Sequence, residues 1–123
     1  MIFGVLCFLI DYKFPINLDN RKDNSKIVEL IAEKHSDSLV IQNLVLSDEF
    51  PYPAEIINPV YNNPKYSKLF ELGASSFYYR TFLIEYELFD NKGNSYGRYY
   101  GLIEKRFMIL KERPKNLIAI TKK

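Results

Sequence analysis

Four acidic side chains near one predicted turn are the first residues with a spacing suited to catalysis. Glu85 and Glu87 lie two residues apart, so in a strand they share a face, and Asp90 and Glu104 follow along the chain. Facing carboxylates can separate their pKa values and act as acid and base. Alternating glutamates are also typical of the solvated face of a strand, and no other motif converges on these four. We therefore expect a protein that is not an enzyme.

A cysteine and a histidine form the other formal catalytic pair. Cys7 and His35 are each the only residue of their type, and Asp37 could orient the imidazole. Cys7 lies inside an apolar run, however, and the dipole of a helix favours a histidine at its C-terminal end. One cysteine forms no intrachain disulfide, and the ligand spacing of a zinc site is missing. We expect no catalytic residue, no metal and no cofactor.

The positive charge is concentrated towards the C-terminal end of the sequence. Residues 98–123 contain eight basic and two acidic side chains, a net charge of +6, whereas residues 1–97 have nine basic and 13 acidic side chains, a net charge of −4. Tyrosines adjoin arginines within this pattern, and Tyr and Arg are enriched among the residues that dominate binding at interfaces. The predicted binding residues are Tyr79, Arg80, Arg98, Tyr99, Tyr100 and Arg106.

This pattern favours an accessory or inhibitory module that binds another protein, or a second copy of itself, through an aromatic and basic C-terminal hairpin. Single-stranded nucleic acid is the alternative partner, because it is bound by stacking aromatics beside cations. A net charge of +2 is small for that role, and no nucleic-acid-binding signature is present. A small-ligand pocket between the sheet and a helix is the third hypothesis. Glycine-rich phosphate loops and the G-x-S-x-G motif are missing.

The length and composition predict one globular domain. The chain has 123 residues, of which 47% are hydrophobic and 26% charged, so residues 1–123 are expected to form a single α+β domain. Residues 1–10 are apolar enough to be a buried first strand or part of a targeting segment, and we favour the strand because a basic start and a cleavage site are missing. A cytoplasmic protein with no membrane partner is expected.

The first half of the chain predicts a helix, a strand and short helices. Apolar residues at helical spacing predict a helix over 24–36, with Asp23 or Asn24 as its cap. A β-branched run predicts a strand over 39–46. The proline-rich segment that follows predicts one turn from Pro53 to Ile57 and then a helix that begins at Pro64 and ends at Gly73. Its inward residues are expected to be Tyr66, Leu69 and Phe70.

The second half predicts a long antiparallel hairpin. Strands are expected over Phe77–Phe89, Ser95–Lys111 and Leu117–Thr121. The buried face of the first strand is expected to carry Phe82, Ile84, Tyr86 and Leu88. Arg113-Pro114 is expected to end the second strand. The register stays open. A two-residue turn at Lys92-Gly93 pairs Glu87 with Arg98, whereas a five-residue loop pairs Arg80 with Glu104. The second strand does not alternate cleanly, which indicates burial of both faces or a bulge near residue 105.

Together these elements predict an α+β fold in which an N-terminal helix (24–36) and short helices pack on one face of a bent antiparallel sheet. The element order resembles that of cystatin-like and NTF2-like architectures, in which a curved sheet wraps around a helix. This resemblance concerns architecture alone and implies no function.

Overall fold

The computed structural model describes residues 21–35, 39–107 and 112–123. The expectations for residues 1–10, for Cys7 and for Asp37 lie outside these residues. The described elements, in chain order, are α1 (Arg21–Ala32), β1 (Val40–Leu46), α2 (Ala54–Tyr61), a 3-10 helix (Ser67–Phe70), α3 (Ala74–Arg80), β2 (Thr81–Phe89), β3 (Ser95–Phe107) and β4 (Glu112–Lys122).

The strands form one antiparallel sheet in the order β1-β2-β3-β4, in which every strand pairs with its neighbours in sequence. The predicted α+β class is therefore confirmed. The register shifts by one residue in all three strand pairs, and an extra residue of this kind bends its strand and increases the local twist. In β1 the irregularity falls between Gln42 and Val45, where Asn43 has a positive φ of 57°.

The hairpin of β2 and β3 has the pairing of one predicted register and the loop length of the other, and the predicted pair of Arg80 with Glu104 is not formed because Glu104 pairs with Thr81. Over most of the hairpin the register is the one that pairs Glu87 with Arg98, which is the register of a two-residue turn. At the turn itself Phe89 pairs with Ser95, which leaves a five-residue loop, and the shift between the two registers occurs between Leu88 and Phe89. Gly97, which pairs with Leu88, has a φ of 104°, a conformation that glycine adopts without strain.

The pair of β3 and β4 contains the irregularity predicted near residue 105. Its register shifts between Leu102 and Ile103 and again between Glu104 and Lys105. The central residues of β3 are buried on both faces, as the mixed pattern indicated. The last strand was predicted to begin at Leu117, which is wrong, because β4 begins at Glu112. Pro114 fits into this strand because β4 pairs only with β3 and an outer strand can do without one backbone donor.

Helices cover both faces of the sheet, so the expectation of one covered face is wrong. The side chains of α1 pack with Phe82, Ile84 and Tyr86 of β2. Leu83 belongs instead to the core formed with α2, α3 and the 3-10 helix. Because alternate residues of a strand point to opposite faces, these two cores lie on opposite sides of the sheet. The cystatin-like or NTF2-like resemblance stays a prediction.

The helix α1 has the predicted inward face but different ends. Ile27 and Ile31 are fully buried, which confirms the helical spacing. The helix begins at Arg21, so Asp23 lies in its first turn, where a negative charge is favourable to the helix dipole. The helix ends at Ala32, and the chain tightens beyond it through a bond from the Lys34 N–H to the Ile31 carbonyl.

The segment from Pro53 to Gly73 largely follows its predicted pattern. Pro53 stands directly before α2, which is longer than the single turn expected. The helix predicted after Pro64 is shorter, a 3-10 helix whose Leu69 is buried and whose Phe70 is half-buried. Gly73 follows with a φ of 95° and precedes α3.

The helix α3 is the main difference from the sequence prediction. Residues Phe77 to Arg80 were expected to begin a strand because aromatics favour strands. They are helical instead, because Phe77 stacks on Phe70 with ring centroids 4.3 Å apart and is buried between the 3-10 helix and the sheet. Tertiary packing therefore overrides the local propensity.

Candidate binding groove

A solvent-accessible groove of about 770 Å³ lies where α3 meets the middle and end of β3. It brings together three of the predicted binding residues, Tyr79, Arg80 and Arg106. We call this feature the basic groove. Its lining also includes Leu72, Glu104, Lys105, Phe107 and Lys115.

The junction of α3 and β2 fixes the direction of Tyr79 and Arg80. The buried Thr81 hydroxyl donates to the Phe77 carbonyl at 2.9 Å, and the Tyr52 hydroxyl donates to the Thr81 carbonyl at 3.3 Å. In a helix, consecutive side chains are about 100° apart. With Phe77 directed into the core, Tyr79 is therefore left 59% exposed at the groove.

An exposed aromatic pair forms the apolar part of the groove. The rings of Tyr79 and Phe107 stack with centroids 5.3 Å apart and an interplanar angle of 19°. Phe107 is 46% exposed and Leu72 is 77% exposed. The Lys105 ammonium lies 5.8 Å from the centre of the Tyr79 ring, in cation–π range. Three large apolar side chains therefore reach solvent beside cationic groups.

The cations of the basic groove fall into two classes. Lys105 is paired with the buried Glu112 carboxylate at 3.0 Å, and Lys115 lies 3.9 Å from Glu104. Arg80 and Arg106 have no carboxylate within 4.0 Å among residues 21–35, 39–107 and 112–123. The lining of the groove therefore includes two arginines whose charge the described part of the chain does not neutralise.

The other predicted binding residues lie away from the groove. Arg98 lies between two carboxylates, at 3.5 Å from Glu85 and 3.8 Å from Glu87. Tyr100 is only 6% exposed and donates a hydrogen bond to Glu49. Tyr99 is half-buried on the opposite face of the sheet. The predicted set is thus divided among three places.

The carboxylates considered for catalysis have ordinary structural partners. A hydrogen bond from Lys123, at 2.7 Å, lowers the pKa of Glu85. Hydrogen bonds from Asn94 lower the pKa of Asp90 in the turn. Glu87 accepts from Asn43 and Ser95, and Glu104 accepts from Asn116. A general acid needs a raised pKa, which is the opposite of the shifts at Glu85 and Asp90.

A second cavity lies between the end of α1 and β4. It measures about 310 Å³ and is lined by Lys34, His35 and the segment 117–120. His35 shares a hydrogen bond of 3.0 Å with the Tyr86 hydroxyl and makes edge contacts with the Tyr86 and Tyr99 rings. Partial burial lowers the pKa of His35. This cavity is at the position expected for a small ligand.

Sequence reasoning missed Leu72, Lys105, Phe107 and Lys115 as groove residues. One signal was present for Lys105. The register that pairs Glu87 with Arg98 also pairs Thr81 with Glu104, and so brings the start of β2 beside Lys105 and Arg106. The contribution of Leu72 had no such signal, because it depends on α3 being a helix.

Within the described part of the chain, no group of three or more His, Cys, Asp or Glu side chains is arranged to hold a metal ion. Among the same residues, no helix has the length and apolar character required to cross a membrane. Comparison of the chain with protein-family models, with curated proteins and with solved structures gives no significant match.

Proposed function

We propose that this protein is a non-enzymatic binding module whose basic groove recognises a segment of a partner protein. The observation that carries the proposal is the exposed Tyr79–Phe107 stack in a groove that Arg80 and Arg106 also line. Tyrosine and arginine are over-represented among the residues that dominate the energy of protein interfaces. A stacked ring pair also gives a rigid apolar surface, which loses little conformational entropy on binding.

Single-stranded nucleic acid is the second candidate, supported by the same stack beside cations. The groove supports a protein segment better for two reasons. Leu72, at 77% exposure, adds apolar surface to the groove without a stacking ring. Lys105 and Lys115 already have acidic partners, so the groove lacks the continuous cationic track that follows a phosphate backbone.

The test is a selection of peptides on the full chain. A random twelve-residue library displayed on phage is selected on the immobilised protein and counter-selected on the Tyr79→Ala variant. We expect surviving peptides whose affinity falls about tenfold or more in Tyr79→Ala, because truncating a central aromatic removes its contact area. Dissociation constants are measured by fluorescence anisotropy with the synthetic peptides.

The matched control is Tyr96→Ala. Tyr96 is 46% exposed at the start of β3, at the end of the hairpin that lies far from the groove. Its truncation should leave peptide affinity within about twofold, and thermal unfolding of both variants checks the fold. Recovery of no Tyr79-dependent peptide overturns the proposal. Tyr79-dependent binding of a labelled (dT)20 in its place assigns the groove to nucleic acid.

A further inference from the structure

We infer that the segment bound in the basic groove is acidic and carries two carboxylates together with an apolar side chain. This inference rests on the proposed function and names the chemistry of the partner. It follows from which cations of the groove have an acidic partner within the described part of the chain and which do not.

The lysines of the groove are engaged by the protein itself. The Lys105 ammonium lies 3.0 Å from a Glu112 oxygen, and both side chains are largely buried. The Lys115 ammonium is 3.9 Å from Glu104, which also accepts from Asn116 at 3.4 Å. A ligand that bound Lys105 would compete with the buried Glu112 carboxylate, and the charge of Lys115 is partly offset by Glu104. The lysines therefore add little to selectivity.

The two arginines of the groove differ from the lysines in their acidic partners. In the parts of the chain that the structure describes, Arg80 and Arg106 lack an acidic partner, yet both line the same groove. A guanidinium presents a planar fork of donors that matches the two oxygens of a carboxylate. Two such forks at separate points fit two carboxylates of one segment.

The apolar side chains of the groove indicate the apolar part of the partner segment. Tyr79, Phe107 and Leu72 are all exposed in the groove that the two arginines share. An aromatic or branched apolar side chain of the partner would cover them and remove apolar area from water. A nucleic acid can stack its bases on the Tyr79 and Phe107 rings, but it offers no aliphatic side chain to cover the exposed Leu72. The geometry thus favours an acidic peptide over a nucleic acid.

The experiment compares three labelled probes by fluorescence anisotropy on the full chain. The first is a synthetic twelve-residue peptide with two Asp-Glu pairs around a central Phe-Leu pair. The second replaces every Asp by Asn and every Glu by Gln, and the third is (dT)20. We expect the amide peptide to bind about tenfold or more weakly than the acidic peptide, since each lost charged hydrogen bond costs affinity.

The decisive variant is Arg80→Lys/Arg106→Lys, which keeps both positive charges and removes both forks. It should bind the acidic peptide about tenfold more weakly. Arg98→Lys is the control, because Arg98 lies between Glu85 and Glu87 outside the groove, and it should change affinity less than twofold. Equal affinity for the acidic and amide peptides, or full affinity in the double lysine variant, overturns the inference.

The outcomes separate this inference from the proposed function. Tyr79-dependent peptides that are neutral or basic leave the proposed function standing and overturn the acidic partner. If the library yields no Tyr79-dependent peptide, the proposed function fails first. Tighter binding of (dT)20 than of the acidic peptide, unchanged in the double lysine variant, overturns both in favour of a phosphate backbone.

Discussion

At the scale of single residues, His35 is the one histidine of the sequence, and histidine is the side chain whose ordinary pKa lies closest to neutral pH. It is part-buried against Tyr86 and Tyr99, and desolvation lowers its pKa from the ordinary value of 6.5. A histidine whose folded pKa lies below its unfolded pKa binds protons more tightly when the chain unfolds. Stability is therefore lost as the pH falls through 6.5 towards the folded pKa.

We expect the urea midpoint of unfolding to be lower at pH 5.5 than at pH 7.5, and His35→Gln to reduce that difference. Glu85 and Asp90 do not contribute to the stability difference between pH 5.5 and pH 7.5. Their lowered pKa values give stability that is complete above their ordinary values of 4.5 and 3.8 and is lost only at lower pH.

As the only histidine of the sequence, His35 can also be titrated directly by NMR in the untagged protein. Its ring protons should give a midpoint below 6.5. A midpoint above that value, or an unchanged pH dependence in His35→Gln, would contradict the structural assignment of His35 to a partly desolvated site.

At the scale of elements, the hairpin of β3 and β4 is held beside the groove by a buried ion pair. Lys105 and Glu112 are 3.0 Å apart, with side-chain exposures of 15% and 5%. We expect Lys105→Met to lower the free energy of unfolding by about 3 kcal/mol, because the Glu112 carboxylate loses its cation while it stays buried. Urea unfolding followed by circular dichroism measures the loss.

Two further variants make this prediction specific. Lys115→Met removes a more exposed lysine at 3.9 Å from Glu104, and it should cost less than about 1 kcal/mol. Lys105→Met combined with Glu112→Leu replaces both charges by apolar groups and should recover most of the loss. If Lys105→Met alone were as stable as the natural chain, the buried Glu112 carboxylate would not need the Lys105 cation for stability.

The elements also show what sequence patterns can and cannot give. The β1 strand was predictable because its run is short and β-branched, and the inward face of α1 was predictable because its apolar residues recur at helical spacing. The helix α3 was not predictable, because its aromatic sequence favours a strand and only the stacking of Phe77 on Phe70 favours the helix. Strand β4 was predicted too short because an outer strand tolerates the proline that would end an inner one.

The same contrast applies to the candidate site. Tyr79, Arg80 and Arg106 were chosen by residue type, and the structure places them in one groove. Tyr100 was chosen by the same rule and is buried. Residue type indicates which side chains can bind, whereas the strand register and the direction of α3 decide which of them meet. Neither of these two features was fixed by the local sequence.

At the scale of the whole molecule, the separation of charge along the sequence is partly neutralised by folding. Residues 98–123 have a net charge of +6, but Arg98, Lys105 and Lys123 are paired with carboxylates. Arg80 and Arg106, which have no acidic partner among the residues that the structure describes, lie at one end of the hairpin. The turn 90–94, with Lys92, lies at the other end, roughly 30 to 40 Å away along the strands.

This layout predicts how salt acts on binding of the acidic twelve-residue peptide. Charges at the rim of a binding site attract an oppositely charged ligand before contact, and ions screen that attraction over about 10 Å at 0.1 M salt. The association rate constant should therefore fall several-fold between 50 and 300 mM NaCl, whereas the dissociation rate changes less. Stopped-flow fluorescence with the labelled peptide measures both rates.

Charge reversal locates the source of the attraction. Arg106→Glu should slow association several-fold at 50 mM NaCl, because the reversed charge stands in the groove where the peptide arrives. Lys92→Glu makes the same change of net charge at the far end of the hairpin, beyond the screening distance, and should slow association less than twofold. If the two variants slow association equally, the net charge of the molecule and not the basic groove governs the encounter.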